Sequence, residues 1–237
     1  MCAKKIINRL VPGRIKKLLQ NFWILSESYA QRKTIMLGKC VDKKGNEIPW
    51  YTYPAIEYLN GLDFSDLTVL EFGSGASSVW WAGKAGFVLA VENNKEWFEI
   101  SREKSSDRLN VVFADTESDY LAAGAGAGRK FNVIVIDGVY RHRCADMIPN
   151  ALDKNGLVIL DNSDWYPETA RVLRERHDLL QVDFHGFGPI NNYTWTTSLF
   201  FSRFFLCRPS GDRLPNYSLG ALRQLADGQN LSMTAVD

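Results

Sequence analysis

Between Leu67 and Leu206 the chain alternates short apolar runs with longer amphipathic or polar stretches. The first five apolar runs are almost continuous in Val, Ile, Leu and Phe, which is typical of strands covered by helices on both faces. Only Gly186–Thr196, without helical periodicity, separates the last two runs, which predicts an antiparallel hairpin. The predicted strands are Leu67–Phe72, Phe87–Glu92, Asn110–Asp115, Lys130–Asp137, Leu157–Asn162, Leu179–His185 and Thr197–Leu206.

Amphipathic segments between these runs predict the helices that cover the sheet. Strands and helices that alternate along the chain are typical of an α/β domain with a parallel sheet. We therefore expect an α/β fold with a seven-stranded, mostly parallel sheet, an antiparallel C-terminal hairpin and helices on both faces. The predicted helices are Ser77–Gly86, Lys95–Ser106, Glu117–Ala123, Arg141–Leu152 and Pro167–Glu175.

The pattern divides the 237-residue chain into three parts. Residues 48–208 carry the α/β pattern and form the expected main domain. Residues 1–47 form an N-terminal arm with a basic amphipathic helix, and residues 209–237 form a polar tail that we expect to be weakly ordered. A hydrophobic content of 46% and a charged content of 23% exclude a wholly disordered, collagenous or coiled-coil chain.

Cysteine spacing and hydropathy indicate the compartment. The four cysteines, Cys2, Cys40, Cys144 and Cys207, form no C-x-x-C pair, so neither a zinc knuckle nor a disulfide framework is indicated. No apolar run approaches the roughly 20 residues that cross a bilayer, and the start of the chain does not have the form of a secretory signal. We expect a cytoplasmic protein.

The first predicted strand leads directly into a glycine turn and then into a helix. Gly73 and Gly75 allow the backbone to turn sharply against a ligand, and the start of the helix offers unpaired N–H groups. Glu92 ends the second strand, where a carboxylate can bind both ribose hydroxyls of a nucleotide-type ligand. Asp115 ends the third strand on the same rim, where it can face an adenine amino group. Each acid seen alone is better explained as the N-cap of the next helix, and it is their joint placement that favours a ligand site.

Four motifs together resemble those of class I S-adenosylmethionine-dependent methyltransferases. They are Glu71-Phe72-Gly73-Ser74-Gly75, Val91-Glu92, Ala114-Asp115 and Val135-Ile136-Asp137-Gly138, and the resemblance spans roughly residues 50–206. It implies a Rossmann-like fold and S-adenosyl-L-methionine as the cofactor. In that family, the acid two positions before the first glycine orients the amino-acid end of the cofactor, and the glycine loop wraps the methionine moiety. The cofactor-binding residues implied here are Glu71, Gly73, Ser74, Gly75, Ser77, Glu92, Asp115 and Asp137.

Polar residues at the ends of the fourth and fifth strands suggest a metal site. Asp137, Asp161 and Asn162 offer the oxygen ligands that Mg²⁺ prefers, and such an ion would lower the pKa of a bound hydroxyl. The arrangement is similar to the metal triad of catechol O-methyltransferase-like enzymes. The chain departs from that family at Tyr140, where those enzymes carry a lysine base. The alternative is that Asp161 and Asn162 only cap a turn.

Removing a proton from an acceptor hydroxyl requires a base. Without the lysine, the candidate catalytic bases are Asp137, His142 and His185, which follow the fourth strand or end the sixth. A structural, hydrogen-bonded role is the alternative for either histidine.

Aromatic residues are concentrated in two segments that we expect above the crevice. Trp50, Tyr51 and Tyr53 precede the first strand, and Trp195 follows the sixth. Flat aromatic faces with polar neighbours suit a sugar or another small ring, and Arg141 is a candidate ligand for an anionic substrate. The alternative is that these rings pack the ends of the domain.

Charge is distributed unevenly, although the formal net charge is only +1. Six basic residues precede the first acid, Glu27, so residues 1–26 carry +6 and the remainder carries −5. Apolar residues at helical spacing in the same segment predict an amphipathic basic helix. Such a helix either docks on the domain with its polar face in solvent or contacts an anionic membrane surface. The basic residues are Lys4, Lys5, Arg9, Arg14, Lys16 and Lys17, and the apolar residues are Ile15, Leu18, Leu19, Phe22 and Trp23.

The leading prediction is methyl transfer from S-adenosylmethionine to a small-molecule or glycan hydroxyl. An RNA methyltransferase is the alternative in the same fold, but the mildly acidic main domain gives no reason to expect a nucleic-acid partner. An NAD-dependent oxidoreductase is disfavoured because Ser78 stands where the dinucleotide fingerprint has its third glycine. A non-catalytic cofactor-binding protein is the remaining alternative. The sequence leaves the oligomeric state open.

Overall fold

The computed structural model describes residues 12–125, 128–212 and 214–223. Seven strands form one sheet, in the order β3-β2-β1-β4-β5-β7-β6. Strands β1 to β5 are mutually parallel, and β7 runs antiparallel to both β5 and β6. The predicted sheet and its C-terminal hairpin are therefore confirmed. The strands are β1 (Thr68–Phe72), β2 (Phe87–Glu92), β3 (Leu109–Phe113), β4 (Phe131–Ile136), β5 (Leu152–Leu160), β6 (Leu180–Gly186) and β7 (Trp195–Phe201).

Nine helices are found in the described residues, and the first two lie in the N-terminal arm. A π-helical turn, Ile24–Ser28, follows the first helix, and another, Val172–Arg176, follows the last. The helices are α1 (Gly13–Trp23), α2 (Gln31–Leu37), α3 (Tyr53–Asn60), α4 (Ala76–Ala82), α5 (Lys95–Arg102), α6 (Glu117–Ala125), α7 (Arg141–Asp146), α8 (Ile148–Ala151) and α9 (Pro167–Arg171).

Several boundaries differ from the sequence prediction. The helix predicted over Arg141–Leu152 divides into α7 and α8, because Pro149 has no N–H to donate to the preceding turn. Strand β5 begins at Leu152, since this residue pairs with Phe131 before the register shifts. The last strand ends at Phe201, well before the predicted end of the run. Strands β4 and β5 end one residue before their acids, so Asp137 and Asp161 lie in the loops at the rim of the sheet.

The core lies on both faces of the sheet, as expected for helices on both sides. Alternate residues of each strand point to opposite faces, so Val69 and Val133 face one layer while Leu70 and Ile134 face the other. The first layer contains Tyr51, Leu59 and Trp81 from the segments around α3 and α4. The second contains, among others, Tyr120, Ala145 and Leu173 from α6, α7 and the second π-helical turn.

The arm and the tail both contact the domain. Gln31 Nε2 donates to the carbonyl oxygens of Gly188 at 3.4 Å and Asn191 at 3.1 Å, and Thr34 Oγ1 accepts from Ile190 N at 2.8 Å. At the other end, Ser210 Oγ donates to the carbonyl oxygen of Asn60 at 2.8 Å. None of the helices in the described part of the chain combines the length and apolar character needed to cross a bilayer. The basic residues Lys4, Lys5 and Arg9, Cys2 and the last fourteen residues of the predicted tail lie outside the described residues.

Candidate functional site

The glycine turn brings the ends of β1 and β4 into close contact. Gly73 has a φ of +110°, a conformation that side chains rarely adopt, and its N–H donates to the carbonyl oxygen of Val91 at 2.9 Å. A Cβ atom on Gly138 would lie 2.9 Å from Gly73 N and against the hydroxyl of Tyr120. Both positions therefore require glycine, because a side chain at either one would separate the two strand ends.

Glu71, the acid two positions before Gly73, is fully buried at the end of β1. Its Oε2 accepts a short hydrogen bond from Ser78 Oγ, and its Oε1 has no hydrogen-bond partner. Burial raises the pKa of this carboxyl to about 8, partly offset by hydrogen bonds from Ser77 and Ser78. Ser78 Oγ also accepts from Gly75 N at 3.1 Å. Ser78, noted in the sequence only as a missing glycine, thus connects the turn to Glu71.

Glu92 ends β2 and holds two loops together. Its Oε2 accepts from Ser74 N at 3.0 Å and from Ser74 Oγ at 2.9 Å. Its Oε1 accepts from Asn93 N at 3.0 Å and from Asn94 N at 2.8 Å. Ser74 Oγ also reaches Ser101 Oγ, at 2.9 Å, and so has a second partner available. A ligand hydroxyl that binds Glu92 can therefore replace the Ser74 hydroxyl without leaving it unpaired.

These residues line a cleft of about 400 Å³ at the carboxyl ends of the parallel strands. The cleft lies where open α/β sheets bind their ligands, and its volume is in the range of small-molecule sites. The orphaned Oε1 of Glu71 and the rim carboxylates fit a ligand that carries an amino group and ribose hydroxyls. Its lining residues are Glu71, Gly73, Ser74, Ser77, Glu92, Asn93, Asn94, Trp97, Asp137, Gly138 and Val139. Sequence reasoning missed Asn93, Asn94, Trp97 and Val139, although each follows a rim acid within five residues.

Asp115 is the one predicted cofactor acid outside this lining. It is exposed, two residues beyond the end of β3. The neighbouring Ala114 N donates to the carbonyl oxygen of Glu92 at 2.9 Å, which keeps this loop beside the cleft. The adenine-binding role of Asp115 remains a prediction.

The predicted metal triad is instead bridged by an arginine, which corrects the magnesium hypothesis. All five N–H donors of Arg141 have acceptors within the chain. Arg141 Nη2 donates to Asp137 Oδ1 at 3.1 Å and to its carbonyl oxygen at 2.8 Å. Nη1 donates to the carbonyl oxygen of Asp161 at 2.5 Å and to Asn162 Oδ1 at 3.3 Å, and Nε donates to the carbonyl oxygen of Gly138 at 3.0 Å. The guanidinium therefore pairs with the side chains of Asp137 and Asn162, two of the three predicted ligands, and contacts Asp161 through its backbone carbonyl.

The arrangement around Asp161 also argues against a metal. Asp161 Oδ1 accepts from Thr197 Oγ1 at 2.5 Å and from Trp195 Nε1 at 3.1 Å. Burial, and secondarily the charge of Asp137, raises the pKa of this carboxyl well above its ordinary value. Among the described residues, no group of three or more His, Cys, Asp and Glu side chains is placed to hold a metal ion. The residues present do not fit Mg²⁺.

Arg141 is correspondingly unavailable to a substrate anion, because its N–H donors are already used. Its planar face packs over the ring of Tyr166 at 4.7 Å. Asp137 is different, since it is partly exposed and lines the cleft. Burial raises the pKa of Asp137 to about 6, against the opposing effect of Arg141.

The two candidate histidines lie away from this cleft. His142 is exposed and lines a separate surface cleft of about 580 Å³ beside Trp165 and Arg171. His185 lies on β6, the edge strand, where its Nδ1 is 2.7 Å from Thr196 Oγ1. Of the three predicted bases, only Asp137 borders the cleft of the glycine turn.

Three of the four predicted substrate aromatics are buried. Tyr51, Tyr53 and Trp195 pack inside the domain, which leaves none of their faces for a substrate, and only Trp50 is exposed. Burial follows from their partners: the Tyr51 hydroxyl accepts from Trp81 Nε1 at 3.4 Å, and Trp195 donates to Asp161. The predicted substrate role of Tyr51, Tyr53 and Trp195 is therefore wrong, and these rings pack the domain instead.

Exposed aromatic side chains lie instead beside the loop after β5. The Trp165 and Tyr193 rings are 6.4 Å apart between centroids, and both are exposed. Trp165 N donates to the carbonyl oxygen of Asn162 at 2.8 Å, so this ring follows directly from the Arg141-bridged turn. The sequence signal was the Trp165-Tyr166 pair shortly after Asp161.

No protein-family model matches the sequence, and no curated protein matches it significantly. A precorrin-6y C5,15-methyltransferase from Geobacter metallireducens is similar in structure, with a TM-score of 0.51 and 14% identity over 63% of this chain and 87% of that one. The N-methyltransferase NodS from Bradyrhizobium japonicum has a TM-score of 0.47 and 13% identity, over 62% of this chain and 92% of that one. The chain has the Rossmann-like fold of the class I S-adenosylmethionine-dependent methyltransferases.

Proposed function

We propose that this protein transfers a methyl group from S-adenosylmethionine to a hydroxyl of a small molecule or glycan. The observation that carries the proposal is the cleft at the glycine turn, where Glu71 and Glu92 end adjacent parallel strands. The unpaired Oε1 of Glu71 suits the amino group of the cofactor, and Glu92 suits its ribose hydroxyls. Asp115 is assigned to the adenine.

S-adenosylmethionine supplies the methyl group, so the task of the chain is to hold an acceptor in line and to take its proton. Asp137 is the proposed base, because it borders the cleft and its pKa of about 6 is near the working pH of a general base. Arg141 Nη2 donates to the Asp137 carboxylate at 3.1 Å, and its charge stabilises the ionised form that accepts the proton.

The exposed rings of Trp165 and Tyr193, beside the loop after β5, are the proposed platform for the acceptor. Because Trp165 and His142 line the same surface cleft, His142 is the alternative base at this platform. A sugar ring packs its C–H face on such aromatic surfaces while its hydroxyls remain free for reaction. The lining of the cofactor cleft carries Glu92 and Asp137 and no Lys or Arg, so a polyanionic acceptor such as RNA would gain no charge attraction inside that cleft. Arg171 and Arg176 line the surface cleft beside Trp165, so salt-dependent RNA binding at this platform is the test that would favour an RNA acceptor instead.

Isothermal titration with S-adenosylmethionine and S-adenosylhomocysteine tests cofactor binding. We expect micromolar binding by the wild-type protein and at least a tenfold loss in Glu92→Gln, because an amide N–H₂ cannot accept from the loop donors. Glu96→Gln is the matched control, since Glu96 is an exposed acid on the neighbouring helix α5. No binding at millimolar cofactor, together with fluorescence evidence of NADH binding, would replace the proposal with an oxidoreductase.

Glu92→Gln could also weaken binding by disturbing the loops that Glu92 holds, so a second pair of variants tests the cleft without changing that residue. Trp97 and Trp165 are similarly exposed, but only Trp97 lines the cleft. Trp97→Ala should weaken cofactor binding severalfold, whereas Trp165→Ala should leave it unchanged and lower turnover. Turnover is measured by transfer of labelled methyl groups to metabolite and glycan fractions. Cofactor binding without transfer to any fraction would indicate a non-catalytic protein.

A further inference from the structure

Helix α1 extends from the domain without burying any of its residues. Its five large apolar side chains are between 44% and 70% exposed: Ile15, Leu18, Leu19, Phe22 and Trp23. Removing apolar side chains from water is favourable, so a helix that exposes five of them presents a surface on which an apolar partner gains binding energy. The docked alternative predicted from the sequence does not occur in this structure.

The apolar side chains of α1 occupy one continuous side. At 100° per residue, these five positions span an arc of about 140°, and the polar positions fill the remainder. Arg14 and Lys16 lie next to the two margins of the apolar arc, with Trp23 at one edge. Long basic side chains at the margins can extend to the headgroups, and tryptophan favours the interface between water and hydrocarbon.

The charge of this segment has a single sign. Helix α1 contains three basic residues and no acid, and the first acid of the chain is Glu27. The preceding sequence adds Lys4, Lys5 and Arg9, also without an acid. Each basic residue near an anionic bilayer contributes favourable electrostatic energy to binding at physiological ionic strength. A neutral or cationic surface would gain none of this energy.

The base of α1 is anchored, so the helix has a defined direction. The following π-helical turn contributes Leu25 to the core, and Tyr29 packs on Tyr53 with 4.8 Å between ring centroids. Helix α2, the next element, adds exposed apolar side chains at Ile35, Met36 and Leu37. The apolar surface at this end of the chain is therefore larger than α1 alone.

We propose that α1 binds the surface of a lipid bilayer that contains anionic lipids, with its apolar side inserted among the headgroups and its axis parallel to the membrane. The combination of an apolar arc with no buried side chain, basic margins and an absence of acids in the segment fits this surface. The proposal does not depend on the proposed methyl transfer. A second copy of the chain and an acidic protein partner are the other occupants that such a helix fits.

Co-sedimentation of the full-length protein with vesicles tests the proposal. Vesicles of phosphatidylcholine alone are compared with vesicles that contain about 30% phosphatidylserine, at low and at high salt. We expect at least tenfold stronger partitioning onto the anionic vesicles, reduced by salt. The paired variant Leu19→Ser with Phe22→Ser should lose this binding, and Arg14→Glu with Lys17→Glu should lower it more than tenfold.

The matched control is Phe204→Ser with Leu206→Ser, which removes two apolar side chains elsewhere that are even more exposed than Leu19 and Phe22. This control should bind vesicles as the wild type does, and circular dichroism should show that all variants are folded. Equal partitioning on neutral vesicles, no partitioning, or equal binding by the α1 variants would overturn the proposal.

A different result would assign α1 to a second copy of the chain. In that case the wild type would not bind vesicles, light scattering would show a dimer, and Leu19→Ser with Phe22→Ser would convert this dimer to a monomer. Cofactor titration of the same variants separates this outcome from failure of the proposed function.

Discussion

Arg141 and Asp137 form an ion pair of 3.1 Å, four residues apart, at the point where β4 ends and α7 begins. The pair is partly buried, and the same guanidinium reaches the loop after β5 through Asp161 and Asn162. One side chain thus joins two neighbouring strand ends beside the cleft, where a bound cation was predicted from the sequence.

Replacing Arg141 should destabilise the protein considerably. Arg141→Ala removes the donors to three backbone carbonyl oxygens, one carboxylate oxygen and one amide oxygen in a mostly buried site. We expect a loss of about 3 kcal/mol in the free energy of unfolding. Arg143→Ala is the control, because the ion pairs of Arg143 are exposed and worth less than about 1 kcal/mol. Urea unfolding measures both variants. Equal losses of unfolding free energy in Arg141→Ala and Arg143→Ala would mean that the hydrogen bonds of Arg141 add no stability beyond that of an exposed ion pair.

The pH dependence of turnover should follow Asp137. A base must be ionised to accept a proton, so kcat/KM should fall as the pH drops below the pKa of about 6. Asp137→Asn should lower kcat at least a hundredfold and should remove this part of the pH profile. The measurement is kcat/KM between pH 5 and 8 with the acceptor found by methyl labelling. An unchanged profile in Asp137→Asn would exclude this residue as the base.

The buried carboxyl of Glu71 should make the ligand-free protein less stable at high pH. Its folded-state pKa of about 8 lies above the ordinary value of 4.5, so the folded state holds a proton that the unfolded state has lost in this interval. Stability should therefore fall as the pH rises from about 5 to 8, by about 3 kcal/mol from this group. Glu71→Gln should flatten the slope measured by urea unfolding, and Glu96→Gln should not. If the pH dependence of the unfolding free energy is the same in Glu71→Gln as in the wild type, a raised pKa of Glu71 is not its cause.

Cofactor binding should release a proton from the same carboxyl. At pH 6.5 Glu71 is mainly protonated in the free protein, and the positive amino group of a bound cofactor favours its ionised form. We expect up to one proton released, measured by calorimetric titration in buffers of different ionisation enthalpy. Proton uptake, or release that persists in Glu71→Gln, would count against this contact.

The contact between β1 and β4 should tolerate no side chain at Gly138. Gly138→Ala places a methyl group 2.9 Å from Gly73 N and against Tyr120, and we expect about 2 kcal/mol of destabilisation together with weaker cofactor binding. Gly83→Ala is the control, because its nearest contact is 3.4 Å and its φ is −73°. Thermal unfolding distinguishes the two. A fully stable Gly138→Ala protein would show that the strand ends separate easily.

Local sequence patterns predicted the sheet and most of the cofactor cleft. Strand β2 matched its predicted bounds, because Phe87–Glu92 is an uninterrupted apolar run that ends at an acid. Glu71 and Glu92 line the predicted rim because parallel strands share one carboxyl edge. These features depend on hydrophobic periodicity and on strand direction. Both are set by residues close together in the sequence, so they can be predicted from it.

The remaining errors concern contacts between residues distant in sequence. Nothing near Arg141 indicates that its donors reach the loop after β5, twenty residues away. Likewise, the burial of Trp195 depends on Asp161 and on the segment around Tyr51, which comes from the opposite end of the chain. From the sequence alone, an aromatic side chain is compatible with both a substrate contact and a core position. Only its contacts with distant residues decide between the two.

The hydrogen bonds from Gln31 and Thr34 to the loop between β6 and β7 have a consequence for how the molecule unfolds. They satisfy backbone groups of Gly188, Ile190 and Asn191, so this loop cannot keep its native conformation once α2 is released. We expect α2 and the hairpin to lose their protection against hydrogen exchange together, as one cooperative unit, while α1 exchanges freely. We therefore expect the residues from about Leu25 onward, and not only those from residue 48, to unfold together with the domain.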